Sequence, residues 1–127
     1  MKTEKFIKEF LLKEDNLVDL LSRAFYPSPW FMGVIRDEYK HLINPQSKCR
    51  EDKWADVLRK GGKMTVIVND SGEEEKHDIE LQDIIDAFEQ MIMKHPKMYA
   101  RLIEGDADFY DADAVIQIAV FGELTYG

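Results

Sequence analysis

Apolar side chains recur every three or four positions along most of the chain, a spacing that predicts amphipathic helices. The segments with this pattern are residues 3–13, 16–25, about 30–43, 51–60, 81–94, 96–104 and 111–121. We expect five to six helices in total. The first two segments form either a helical hairpin or a kinked pair. The last segment is apolar almost all round, which places it at the centre of the core.

One stretch departs from the helical spacing and predicts strands. Residues 64–68 are rich in β-branched apolar side chains, residues 70–72 have a turn composition, and residues 76–79 alternate. Together they predict a β-hairpin over about 63–80. We expect the first strand to be buried on both faces and the charged second strand to be an edge. The predicted fold is therefore α+β: one mostly helical domain over residues 1–127 with one β-hairpin.

The charge of the chain is unevenly distributed. Its 127 residues include 25 acidic and 17 basic side chains, a net charge of −8. Residues 1–60 form a near-neutral helical half with a net charge of +2, whereas residues 61–127 carry −10. A phosphate backbone repels net negative charge, so we expect no direct binding to nucleic acid.

The sequence indicates neither a membrane segment nor a secretion signal. No apolar run approaches the roughly 18 residues needed to span a bilayer. Lys8 and Glu9 interrupt the apolar stretch near the N terminus, and the single cysteine, Cys49, cannot form an internal disulfide. We therefore expect a cytoplasmic protein without membrane contact.

Two acidic clusters are the features that folding explains least. One consists of Glu73, Glu74, Glu75, Asp78 and Glu80, and the other of Asp106, Asp108, Asp111 and Asp113. Because clustered like charges repel, such a face serves either solubility or contact with a basic partner. The aromatic segment from Tyr26 to Phe31 is either an interaction patch or an edge of the core. The predicted partner-binding residues are Glu73, Glu74, Glu75, Asp78, Asp106, Asp108, Asp111, Tyr26 and Trp30.

No motif in the sequence indicates catalysis, and we predict no catalytic residue, no cofactor and no metal site. The three histidines are scattered, without the paired spacing of a zinc site. A calcium loop starting at Asp106 would need Gly at its sixth position and Glu at its twelfth, but those positions hold Asp111 and Gln117. Gln117, polar within an apolar helix, predicts a structural hydrogen bond, with a ligand contact as the alternative.

The C-terminal segment has a recognisable ending. Residues 112–123 read Ala-Asp-Ala-Val-Ile-Gln-Ile-Ala-Val-Phe-Gly-Glu, close to a final Tyr-Gly. This Ala-Asp-x-x-x-Gln-x-x-x-Phe-Gly-Glu pattern resembles a group of small uncharacterised proteins from tailed bacteriophages and prophages. The similarity covers about residues 54–127 and extends poorly to residues 1–53. It implies a phage context, and hence a host cell cytoplasm, but no activity.

Three functions stay open at this point. We expect first a non-catalytic phage accessory protein that binds a host or phage protein, such as an acidic DNA mimic that inhibits a host defence or nucleic-acid enzyme. The alternative is a binder of a small anionic ligand such as a nucleotide signal, or an enzyme acting on one, with Arg36, Lys40, Arg50 and Arg59 as its candidate residues. The third is a virion assembly factor, which a homo-oligomer with a large apolar interface would favour.

Overall fold

A computed structural model of the chain describes residues 2–13, 15–26, 28, 30–70 and 72–125. In chain order, its elements are α1 (Lys2–Leu12), α2 (Asn16–Phe25), β1 (Phe31–Val34), a 3-10 helix (Asp37–Leu42), α3 (Arg50–Arg59), β2 (Met64–Asp70), β3 (Glu73–Ile79), α4 (Leu81–Lys94), α5 (Pro96–Glu104) and α6 (Phe109–Phe121). The predicted α+β class and mostly helical single domain are confirmed.

The strand β1 stands where the sequence pattern predicts a helix. It pairs with β2 in an antiparallel register that sets Phe31 opposite Val68 and Val34 opposite Thr65. The predicted helix over 30–43 is therefore wrong, and the rest of that segment contains only the 3-10 helix. The physical reason is that pairing with a strand far along the chain outweighs local helical spacing, and such tertiary contacts leave little trace in a local pattern.

The three strands form one antiparallel sheet in which β2 is central and β1 and β3 are the edges. The prediction that the charged strand β3 is an edge is confirmed. Burial of β2 on both faces holds only in part, because Thr65 on the outer face is buried whereas Ile67 beside it is half-buried. The inner face adds five core side chains, Phe31, Met64, Val66, Val68 and Ile79.

The helix α6 lies at the centre of the helical layer, as its apolar pattern predicts. It packs against α2 and α4, and residues 111–118 are buried except for the half-buried Asp113. Both ends of the helix are fixed. The Asp108 side chain accepts a hydrogen bond from the Asp111 N–H, and Gly122 ends the helix in a left-handed conformation with φ of 82°. The residues at its N terminus are therefore held on a rigid support.

Candidate functional site

Asp111 belongs to the interior and not to the predicted acidic surface. Its side chain is 1% exposed, and its two carboxylate oxygens accept hydrogen bonds of 2.7 Å each from Nε and Nη2 of Arg101. The hydrogen bonds from the Arg101 guanidinium hold the pKa of Asp111 below its usual range, and they raise the pKa of Arg101. This carboxylate is therefore engaged by α5 and is out of reach of a partner.

The neighbouring acids Asp106 and Asp108 do face solvent. Asp108 uses Oδ1 to accept a 2.9 Å hydrogen bond from the Asp111 N–H, so it combines a helix-capping role with an exposed charge. Asp106 is exposed and lies in the loop between α5 and α6. Within the described residues it forms no ion pair. Both carboxylates remain available to a cationic group of a partner.

Three exposed aromatic side chains adjoin this loop. Tyr26 is 82% exposed and Tyr110 is 64% exposed, and the ring centroids of Phe109 and Tyr110 are 4.0 Å apart. Tyr26 and Phe109 line one cleft of about 370 Å³ together with Arg23. The structure thus brings Tyr26 to the acidic loop, although more than eighty positions separate them in the sequence.

We call this region the aromatic–acidic surface and define it by five residues, Tyr26, Asp106, Asp108, Phe109 and Tyr110. The hydrogen bond of 2.7 Å from Arg23 Nη1 to the carbonyl oxygen of Ala107 fastens its loop to α2. Sequence reasoning missed Phe109 and Tyr110. The available indication was two large aromatic residues in a row between aspartates, where a helix start normally carries polar side chains.

Trp30, by contrast, takes part in a structural network. Its Nε1 donates a 3.1 Å hydrogen bond to Oδ1 of Asp113, and the half-buried indole packs against the core. The other oxygen of Asp113 accepts from Nε2 of Gln117 at 2.6 Å, and Oε1 of Gln117 accepts from the Thr125 N–H at 3.0 Å. This geometry favours the structural interpretation of Gln117 over a ligand contact.

The hairpin acids lie at the other end of α6. Glu73, Glu74 and Glu75 are exposed on β3, and Glu75 lies 3.2 Å from His77, whose ring packs against Phe121 in the last turn of α6. A helix of 13 residues is roughly 20 Å long. The two acidic clusters are therefore separated by about that length and do not form one continuous row.

Asp78 differs from the glutamates before it because its charge is matched within the protein. Its Oδ2 lies 2.8 Å from Nη2 of Arg36, and its Oδ1 accepts a 2.6 Å hydrogen bond from the Thr65 hydroxyl. Arg36 also lies 3.3 Å from Glu38. Asp78 and Arg36 therefore compensate each other's charge. The first is no longer available as a predicted partner-binding acid, nor the second as a predicted ligand-binding cation.

A cleft of about 510 Å³, which we call the basic cleft, is lined by three basic side chains. Its cations are Lys40, Arg50 and Lys53, and its apolar wall includes Trp54. The Arg50 guanidinium stands 5.1 Å from the centroid of the Trp54 ring. Of the four predicted ligand-binding cations, two meet here, whereas Arg59 lies at the far end of α3. Lys53 was missed because its place on the cleft depends on where β1 and the 3-10 helix lie.

Two further features complete the surface. A cleft of about 630 Å³ lies between α1, α2 and α5 and has a mixed rim that includes Glu9, Lys13 and Asp19. A carboxylate group formed by Glu4, Asp86 and Glu89 has one oxygen from each residue within 4.8 Å of the others. Gln82 donates hydrogen bonds to Glu4 and Asp86, and these bonds offset part of the repulsion between the two carboxylates.

Comparison of the chain with protein-family models, with curated protein sequences and with solved structures gives no match. The resemblance to tailed-phage proteins therefore stays a prediction. In the described part of the chain, no helix combines the length and the apolar character that crossing a membrane requires.

Proposed function

We propose that the protein is a non-catalytic binding protein whose aromatic–acidic surface docks on a basic surface of a protein partner. The observation that carries this proposal is the juxtaposition of the exposed rings of Tyr26, Phe109 and Tyr110 with the exposed carboxylates of Asp106 and Asp108. In the phage context that the C-terminal ending implies, the partner is a host enzyme of defence or nucleic-acid metabolism.

The aromatic rings would supply most of the binding free energy. Tyrosine contributes a large contact area while ordering only two side-chain torsions, so it is common at interface hot spots. Each ring can also receive an arginine or lysine side chain of the partner on its face, a contact worth about 0.5–2 kcal/mol. Three neighbouring exposed rings add little to the stability of the isolated protein, and such a patch is typical of an interaction site.

The carboxylates would orient the partner during the encounter and raise the association rate. Charge complementarity affects the association rate and the discrimination against acidic partners more than it affects affinity. Glu73, Glu74 and Glu75 lie too far from Asp106 for one compact contact, so we assign them a steering role at the rim of the interface. This division of labour predicts binding that weakens with salt but does not vanish.

The site needs no rearrangement to present these groups. Arg101 anchors the first turn of α6 through Asp111, and Arg23 anchors the preceding loop through Ala107. A preorganised surface avoids part of the entropy cost of association.

The test is affinity capture from host lysate at low and high salt, with two paired variants. Tyr26→Ala/Tyr110→Ala removes the anchors, and Asp106→Asn/Asp108→Asn removes the charge while Asn keeps the helix cap. Glu38→Gln/Glu123→Gln is the matched control, since both acids are exposed outside this surface. We expect the first variant to lose a stoichiometric partner at all salt concentrations and the second to lose it at moderate salt. Capture that is equal in all four proteins would refute the proposal.

A further inference from the structure

The two edges of the sheet are protected very differently. The edge strand β3 carries the charged run Glu73, Glu74, Glu75 and Lys76, which discourages pairing with another chain. The other edge, β1, reads Phe-Met-Gly-Val and has no charged residue. An edge of this composition is open to strand addition.

The register shows which backbone groups of β1 face away from β2. The Asn69 N–H donates a 3.0 Å hydrogen bond to the Trp30 carbonyl, in line with the register of β1 and β2. Because hydrogen-bonded and non-hydrogen-bonded pairs alternate in an antiparallel ladder, Met32 and Val34 direct their backbone groups toward β2. The carbonyl of Phe31 and both backbone groups of Gly33 then point away from β2, toward the open side, whereas the Phe31 N–H donates a 3.1 Å hydrogen bond to Oγ of Ser28.

The open side of β1 borders the basic cleft. Gly33, Val34 and Ile35 form one wall of the cleft. The facing cations are Lys40, Arg50 and Lys53, and two acids lie beside them: Asp37 is 2.7 Å from Lys40, and Glu51 is 2.7 Å from Arg50. The balance at the cleft is positive, in contrast to the acidic character of the whole chain.

The outer face of the sheet beside this edge is apolar. Met32 is 58% exposed and Val34 is 39% exposed, and Ile67 lies next to Met32 across the ladder. Side chains of a strand alternate between the two faces. A strand added to β1 would therefore place every second side chain over this apolar strip and the others toward the basic cleft.

We propose that β1 accepts an extended segment of a partner protein as a fourth strand, and that this segment alternates acidic and apolar side chains. Backbone hydrogen bonds to the Phe31 carbonyl and to the N–H and carbonyl of Gly33 give the pairing, the cations of the cleft select the acidic residues, and Met32 and Val34 contact the apolar ones. This docking site shares no residue with the aromatic–acidic surface and does not depend on it.

The probe is a fluorescent peptide with the core Glu-Val-Glu-Val-Glu, and a peptide of equal composition with the order Glu-Glu-Glu-Val-Val is its control. We expect the alternating peptide to bind at least about tenfold more tightly than the block peptide, because only alternation separates the two kinds of side chain. On saturation, the amide proton of Gly33 should exchange more slowly with solvent.

Lys40→Glu/Lys53→Glu should weaken the alternating peptide by about tenfold or more, because it reverses two charges that face the added strand. Lys94→Glu/Lys97→Glu changes the net charge equally at exposed positions outside the cleft and should have little effect. The expected loss therefore separates the cleft from the overall field of the protein.

Four results would overturn the inference. Equal binding of both peptides would show charge attraction without strand pairing. Binding without protection of the Gly33 amide would place the peptide elsewhere. Binding of inorganic pyrophosphate that displaces the peptide would show that the cleft is a small-anion site. Failure of Glu-Val-Glu-Val-Glu to bind would also overturn it, and none of these outcomes bears on the aromatic–acidic surface.

Discussion

Arg101 and Asp111 form a two-pronged ion pair that joins α5 to the first turn of α6, with both nitrogen–oxygen distances at 2.7 Å. The carboxylate is buried while the guanidinium is partly exposed. One oxygen of Asp111 also lies 3.3 Å from the Asp108 N–H, so a single side chain serves the helix cap and the ion pair. This pair fixes the direction in which Phe109 and Tyr110 leave the core.

Replacing Asp111 by alanine should destabilise the fold by about 3 kcal/mol, because the ion pair and a capping hydrogen bond are lost together. Urea unfolding followed by circular dichroism gives the free energy of unfolding. Asp113→Ala, two positions further along α6 and half-buried, should cost less. A loss below about 1 kcal/mol in the Asp111 variant would show that the Arg101 contact contributes little.

The stability of the protein should fall in acid partly through Asp111. The folded-state pKa of this carboxyl is lowered from 3.8, chiefly by its hydrogen bonds from Arg101. Between the folded-state pKa and 3.8, this carboxyl binds a proton more readily in the unfolded chain than in the folded protein. The free energy of unfolding therefore rises with pH there. The contribution is fully present above pH 3.8 and is lost as the pH falls through the folded pKa. Asp111→Asn should flatten the pH dependence of unfolding below about pH 5, and an unchanged slope would contradict this assignment.

Gly33→Ala should destabilise the protein by about 1–3 kcal/mol through overpacking. A Cβ at this position would lie 2.6 Å from Cζ2 of Trp54 and 2.6 Å from Cε of Met64. Thermal unfolding of the variant measures the loss. In a Trp54→Leu background the same substitution should cost clearly less, because the indole no longer occupies the space. Additive losses in the double variant would argue against this contact.

Trp30→Phe should lower the free energy of unfolding by about 1 kcal/mol, since it removes one hydrogen bond to Asp113 and keeps an aromatic ring in place. Capture of a partner through the aromatic–acidic surface should be unaffected. If the variant instead lost the partner at unchanged stability, Trp30 would be a contact residue, as the sequence alone predicts.

Local patterns predict those elements whose neighbours along the chain determine them. The helices over 81–94 and 96–104 coincide with α4 and α5, because the first has a continuous apolar stripe and the second lies between Pro96 and Gly105. The turn near Gly72 likewise follows from its composition. In all these cases the residues that decide the structure lie within a few positions of one another.

The rest depends on contacts between distant parts of the chain. β1 exists because Val68 and its neighbours offer a partner, and Gly33 is needed because the Trp54 indole packs against it. The same holds for the candidate sites. Tyr26 meets Phe109 only through the packing of α2 on α6, and the burial of Asp111 could not be read from a run of aspartates that looks uniformly exposed.

The central position of α6 has a consequence for how the chain folds during synthesis. α6 follows α2 and α4 in the sequence, yet both pack on it. During synthesis, α1 through α5 and the sheet therefore emerge from the ribosome before α6, the helix that completes their core. Apolar faces of these early elements must stay exposed for that interval, which makes the nascent chain a candidate for chaperone binding. The contacts between α2 and α6 also close a long loop, which slows folding relative to a bundle of sequential helices.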